Sequence, residues 1–381
     1  MNKFLLPLAL ALAASTALAQ NCLDPNRGTL LSTNPADILL PIQSMGMTFP
    51  IAGVTYTDIH ITDHGYVQFS NGGIPAPMGG GVLYTPTTAN FLAGSAKVCA
   101  LYADIVGSGG GQIFFKTCPA GTPAGQRSCV VSWINMQNFG TPLPRFDFQM
   151  RLCDNGEVRI VFGANVTNVS TFGVPSDNGI CGITPGGGGL LPPNSNLWVA
   201  NQTVGTSAPT FDTTNELWTV PLSFDIASNS VHFIPVNPGT IPAGGGYLWI
   251  TTTDTNCATA TTTGVGCLGM SLAPTNLPIL GSCDFCLTLT GVGLPPLTLM
   301  AFGSGCLPSP GIPLGGGCFL CTNADIGAFG LTGPGTQYCL TIPKTPSLAG
   351  ASLCAQGVEL QLPPLTPFLK TSNCVQFGVG Y

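Results

Sequence analysis

The chain has 381 residues, of which only 7% are charged, with 51 glycines, 34 prolines and a formal net charge of −6. Ordinary globular proteins carry about 25% charged residues, so helices laced with surface ion pairs are excluded, and glycine and proline in these amounts belong in turns and loops. A negative chain without a basic patch has no electrostatic footprint for nucleic acid, and 44% hydrophobic residues in short alternating runs bury enough area to exclude disorder.

Residues 1–20, "MNKFLLPLALALAASTALAQ", hold one lysine, an apolar run and the small-residue pattern Ala17-Leu18-Ala19. That is the pattern of a signal peptide over 1–19, with a mature chain from Gln20 and an exported protein. Cys22 follows closely, but Gln20 and Asn21 are not the small residues a lipoprotein signal needs, so no lipid anchor is expected. Gly, Pro and Thr interrupt every later apolar run, including "FCLTLTGVGLPPLTLMAF", before the roughly 18 residues a spanning helix requires, so no transmembrane helix is expected.

The stretch "TDIHITDHGYVQFSNGG" at 57–73 holds two of the three histidines beside an aspartate. On a strand, Ile59 and Ile61 share one face and His60 and Thr62 the other, after which Asp63-His64-Gly65 turns the chain. A metal site there would need a further ligand, so His60, Asp63 and His64 are expected as solvent-facing strand and turn residues of a bend. Asp104 in "LYADIVGSGGG", and Asp212 with Glu216 in "FDTTNELW", could hold Ca²⁺ with loop carbonyls, but neither has the regular spacing of a calcium loop, and turn capping is the expectation.

Two hairpins stand out. In "GQIFFKTCPAGTPAGQRSCVVSWINM", Cys118 and Cys129 fall at the two ends of a Pro/Gly loop, and a Cys118–Cys129 disulfide is expected. In "RFDFQMRLCDNGEVRIVFG", a three-residue loop Asp154-Asn155-Gly156 with a left-handed glycine sets Leu152 against Val158, Met150 against Ile160 and Phe148 against Phe162. The same register puts Arg151 opposite Arg159, which repel unless a carboxylate intervenes; Asp147 or Glu157 are the diagonal candidates.

After Pro238 the composition changes, and from Gly239 onward the only charged residues are Asp254, Asp284, Asp325, Lys344, Glu359 and Lys370. The expected organisation is one domain over 22–240, a Thr/Gly-rich connector over 241–264 and a second domain over 265–381. Six of the 16 cysteines lie in 22–181 and ten in 257–374, even counts that suit a self-contained disulfide set in each domain. The pairs Cys283/Cys286 and Cys318/Cys321 have zinc-like spacing, but in an exported chain each is expected to form disulfides with separate partners, since members of one pair face opposite sides of a strand. The closing Val375, Phe377, Val379 and Tyr381 alternate like the closing strand of an outer-membrane barrel or equally like a final sandwich strand, and the sandwich strand is the expectation.

The glycine runs have no Gly-Lys-Ser/Thr behind them and no helix to follow, so they cradle no phosphate. Neither a Gly-x-Ser-x-Gly elbow nor a His-Glu-x-x-His zinc helix occurs. Asp154 and Glu157 bracket a hairpin turn, and nothing places Asp104 beside them as a glycosidase pair. No catalytic residue, metal or cofactor is expected.

From "YTDIHITDHGYVQFSNG" through "KVCALYADIVGSGGGQIFFKTC", "RFDFQMRLCDNGEVRIVFGANV" and "FGVPSDNGICGITPGGGG", roughly residues 40–235 resemble the nidogen-type (NIDO-like) β-sandwich of secreted and surface proteins. "LYAD" stands where those domains commonly have Trp-Asp-Asp, and the extra cysteines depart from the pattern. Residues 264–381, with "LGMSLAPTNLPILGSCDFCLTLTGVGLPPLTLMAFG" and the closing "KTSNCVQFGVGY", resemble the Gly/Leu/Pro-rich C-terminal domain of secreted planctomycete-type proteins. The resemblances imply two disulfide-rich all-β sandwiches, extracellular adhesion or matrix association, no established catalytic residues, and sorting or attachment by the second domain. The expected partner is an extracellular protein or glycan, with self-assembly at the cell surface as a further possibility; the alternatives are an extracellular hydrolase or its accessory subunit, and a structural block of a surface layer.

Overall fold

The computed structural model describes residues 22–72, 85–163, 166, 179–187, 204–206, 214–218, 229–235, 247–253, 257–292, 298–330, 337–360 and 369–381. The expected signal peptide and Asp212 therefore lie outside the described residues. Nearly all the regular secondary structure described is β, as expected, and the only α-helix among these residues is α1 (Thr88–Leu92).

The first half is two sheets packed face to face. One runs β1 (Thr29–Thr33), β7 (Gln112–Thr117), β8 (Ser128–Asn138), β9 (Thr141–Cys153), β10 (Val158–Phe162), β14 (Asn229–Pro235), β15 (Tyr247–Thr253) and β12 (Val204–Thr206), with β6 (Ile105–Val106) paired to β8. The other runs β13 (Thr214–Trp218), β11 (Gly179–Thr184), β5 (Lys97–Tyr102), β4 (Tyr66–Ser70), β3 (Val54–Ile61) and β2 (Gln43–Ile51). Period-2 alternation places Phe146, Phe148, Met150 and Leu152 of β9 in one core with Phe49, Ile59, Ile61 and Phe69 of the facing sheet. Each such side chain contributes about 1.5–3 kcal/mol on burial. Trp133 stacks on Phe148 at 4.9 Å, and its indole N–H crosses the core to donate to the Thr62 carbonyl at 2.7 Å, satisfying the one polar atom of that ring.

The β9–β10 hairpin has the expected register, with Val158 opposite Leu152, Ile160 opposite Met150 and Phe162 opposite Phe148. Gly156, at φ +86°, supplies the left-handed residue of the three-residue loop. Arg151 does face Arg159, but neither Asp147 nor Glu157 answers Arg151. Its partner is Asp24, 2.9 Å away, a residue from the start of the described chain that local pairing rules do not reach.

The second half packs β16 (Thr259–Thr263), β25 (Leu369–Gly378), β24 (Ser352–Leu360), β19 (Thr298–Gly303) and β22 (Gly327–Gly330) against β17 (Ser271–Pro274), β18 (Phe285–Thr290) and β23 (Gln337–Leu340), beside a small hairpin of β20 (Ile312–Gly315) and β21 (Cys318–Leu320). Met300, Phe302, Val375 and Phe377 meet Leu272, Phe285, Leu287 and Leu289 in one core. The closing alternation falls into place, with Val375, Phe377, Val379 and Tyr381 all buried. The Thr-rich stretch expected as connector supplies β15 to the first large sheet and β16 to the edge of the third.

Two cysteine expectations are overturned. Cys118 pairs with Cys283 and Cys22 with Cys257, so the disulfide sets are not self-contained; even counts permit closure within each half but do not require it. Cys118 does not reach Cys129, which is free and fully buried. Thr117 is the cross-strand partner of Cys129, so Cys118, one residue further, points to the opposite face of the sheet.

Candidate functional site: the junction of the two halves

The outward face of β7, β8 and β9 alternates Lys116, Ser128, Gln149 and Arg151 against the core positions, and this face meets the second half instead of water. Asp24 accepts from Lys116 at 2.5 Å and from Arg151 at 2.9 Å. Lys116 also donates to Asp284 at 3.0 Å, Asn26 reaches Asp284 at 2.8 Å, and the Ser128 hydroxyl donates to the Gly281 carbonyl at 2.9 Å. Burial alone would push the Asp284 carboxyl up, but Lys116 and the Ser282 hydroxyl outweigh it and hold the group below its ordinary value. Arg159 completes the face by lying over the Tyr381 ring, 4.4 Å from its centroid. Between Asp24, Gln149, Arg151 and Arg159 only about 10 Å³ is left, so this part of the junction is a packed seam.

Beside the seam the halves diverge into a cleft of about 440 Å³. Its walls are the β7–β8 loop at Gly125 and Gln126, the hairpin tip at Asn155 and Glu157, Ile234 of β14, and the segment 341–345 of the second half. Lys344 crosses to Asp154 at 2.6 Å, while the other Asp154 oxygen accepts from the backbone N–H of Gly125 at 2.6 Å and of Arg127 at 3.2 Å. Glu157 lies 3.3 Å from His232 Nε2 and accepts from Asn155 Nδ2 at 2.8 Å. Asp154 is thus consumed by tying loops together, and the two carboxyl groups do different work.

The residues singled out in sequence sit elsewhere. His60, Asp63 and His64 do form the bend, with Gly65 at φ +74°, but they are buried and not solvent-facing. The chain at Ile38–Leu40 lies alongside, where Leu39 bridges Thr62 and the Ile38 N–H donates to Asp63 at 3.0 Å. Burial raises the Asp63 carboxyl and the neighbouring His64 partly opposes this; Asp37 lies 3.3 Å from His64 Nε2. Asp104 serves through its backbone, accepting from the Phe139 N–H at 2.9 Å. Glu216 pairs opposite Cys181 in β13.

Among the described residues the one cluster with metal-ligand spacing is Cys306, Cys354 and Cys374, and all three are bound in disulfides. The Cys-x-x-Cys pairs behave as expected: Cys283 and Cys286 take Cys118 and Cys339, while Cys318 and Cys321 take Cys267 and Cys374. Six disulfides fit an oxidising, extracellular setting. Four cysteines lie outside any disulfide and are buried; burial drives the Cys99 thiol up to about 12 and Cys153 to about 11, so neither forms a thiolate at neutral pH.

The cleft residues carry no motif. The available signal was scarcity: Lys344 is one of only two cations after Gly239, and a lone charge in such a sequence marks a place where a partner waits.

A disulfide-rich all-β protein with a cleft between its two halves fits an extracellular setting. The sequence profile of the NIDO-related family matches residues 16–232, more than half of the chain, and the chain belongs to that family. Neither the curated proteins nor the solved structures provide a match.

Proposed function

We propose that this is a secreted, non-catalytic protein of the cell surface or matrix that binds an extracellular protein or glycan, with the second half serving attachment or sorting. The observation that carries the reading is membership of the NIDO-related family over residues 16–232, whose domains are extracellular and in general not catalytic. The disulfide count and the low share of charged residues, 7% of the chain, support it, because a sparsely charged surface repels partners weakly. The first half contributes to the binding site, and the resemblance of the second half to the planctomycete-type C-terminal domain supports a retaining role for it.

The test is retention of the oxidised full-length protein on isolated cell envelope and on insoluble polysaccharides. Saturable retention is the expected outcome. Turnover of an extracellular polymer by the pure protein, abolished by substitution of Asp104 or His60, would overturn the non-catalytic part.

A further inference from the structure

Resting on that reading, we propose that the cleft at the junction is the ligand site and that it takes an uncharged saccharide. The cleft volume of about 440 Å³ falls within the roughly 300–1,000 Å³ of small-molecule sites, which favour domain junctions. It accommodates the end of a sugar chain rather than a protein surface.

The site is preorganised. Gly281 donates to the Ile342 carbonyl at 3.1 Å and Ile342 donates to the Ser282 carbonyl at 2.8 Å, fixing the 341–345 wall to residues that Ser128 and the Cys118–Cys283 bridge already hold. The opposite wall is the tight loop closed by the Gly156 N–H on the Cys153 carbonyl at 2.9 Å. Walls fixed before binding leave little ordering cost for the ligand to offset.

Charge selects against anions. Lys344 is matched by Asp154 at 2.6 Å and Glu157 stands on the same cleft, so an anionic ligand would have to displace an existing partner beside a further carboxylate in a partly buried place. What remains for a ligand is the spare acceptor capacity of Glu157, the exposed amide of Gln126, and the hydroxyls of Thr341 and Thr345, the Asn155 amide being engaged with Glu157 through both its nitrogen and its oxygen. Amides and hydroxyls answer groups that donate and accept at once, as sugar hydroxyls do. Ile234 adds an apolar surface for the C–H face of a pyranose ring. An extended peptide is disfavoured because the 341–345 wall is not a strand and offers no ladder for strand addition.

The experiment is calorimetric titration of oxidised full-length protein with cello-, manno-, malto- and chitohexaose, and with polygalacturonate as charged probe. Wild type is compared with Thr345→Trp, which fills the cleft from an exposed position, and Gln126→Ala, which removes an exposed amide. Unchanged disulfide mass and melting curves establish that both variants fold. Salt-insensitive binding of at least one neutral hexaose, weakened about tenfold or more in Thr345→Trp and measurably in Gln126→Ala, is expected. Neutral-saccharide binding equal in all three proteins overturns the site and leaves the binding function standing. Binding of polygalacturonate alone, or envelope retention that protease abolishes with no saccharide bound, overturns the ligand class; retention on nothing overturns the function as well.

Discussion

Replacing Asp24 by Ala removes the carboxylate on which two buried cations converge, Lys116 at 2.5 Å and Arg151 at 2.9 Å. Side-chain exposures of 11% for Lys116 and 7% for Arg151 mean that water cannot replace the lost oxygen freely. Lys116 keeps Asp284 at 3.0 Å, whereas Arg151 is left with the Ser128 hydroxyl at 3.1 Å and a long contact of 3.5 Å to the Gly281 carbonyl. The loss is therefore that of one broken buried pair, about 3–5 kcal/mol, which raises the unfolding constant by about two to three and a half orders of magnitude. Equilibrium urea unfolding of the oxidised protein, followed by tryptophan fluorescence, measures it. In an Arg151→Met background the same substitution should cost far less, because the stranded charge is gone. A cost below about 1 kcal/mol in the wild-type background would show that the seam is solvated and that its ion pairs do not hold the halves together.

Other expectations follow from the same geometry. The depressed Asp284 carboxyl contributes stability that is fully present above the unfolded carboxylate value of about 4 and is lost as pH falls through the folded value below it; Asp284→Asn should flatten this acid limb, and parallel acid profiles would contradict the assignment. Gly65→Ala places a Cβ 2.2 Å from the Leu101 carbonyl oxygen, whereas Gly72→Ala, at nearly the same φ, meets nothing within 4 Å. The first should therefore cost about 1–3 kcal/mol more than the second in unfolding experiments, and equal costs would mean that the bend at His64 yields. Alkylation without reductant should label none of the four cysteines outside disulfides in the native protein and all four in denaturant, read by intact mass; native labelling of Cys99 or Cys153 would contradict their burial.

The elements legible in sequence were those specified locally. Alternation and one Asn-Gly turn set the β9–β10 register to the residue, and the closing Val-x-Phe-x-Val-x-Tyr pattern marked a buried strand. Partnerships made at long range were not legible. Whether a residue on the outer face of a strand meets water depends on what covers it, so His60 and His64 read as exposed when the Ile38–Leu40 segment buries them. Cys118 read as the mate of Cys129 because proximity along a hairpin is visible in sequence and side-chain facing across it is not. The cleft is assembled from a loop, a turn and an irregular segment up to 220 positions apart, from Gly125 to Thr345, and no periodicity records such a meeting.

The two bridges between the halves also govern the order in which the molecule can mature. Cys22 and Cys118 are made early, yet their mates lie 235 and 165 positions later, and β25, which pairs with both β16 and β24, ends three residues before the C-terminus. Ribosomes deliver chains from the N-terminus at about 5–20 residues per second, so the first sandwich spends its earliest seconds as an open thiol form. Without β25, β16 loses the strand it pairs with and Cys321 loses its partner Cys374. Closure of the two bridges between the halves therefore waits for Cys257 and Cys283, and until those residues are made Cys22 and Cys118 stay open as thiols.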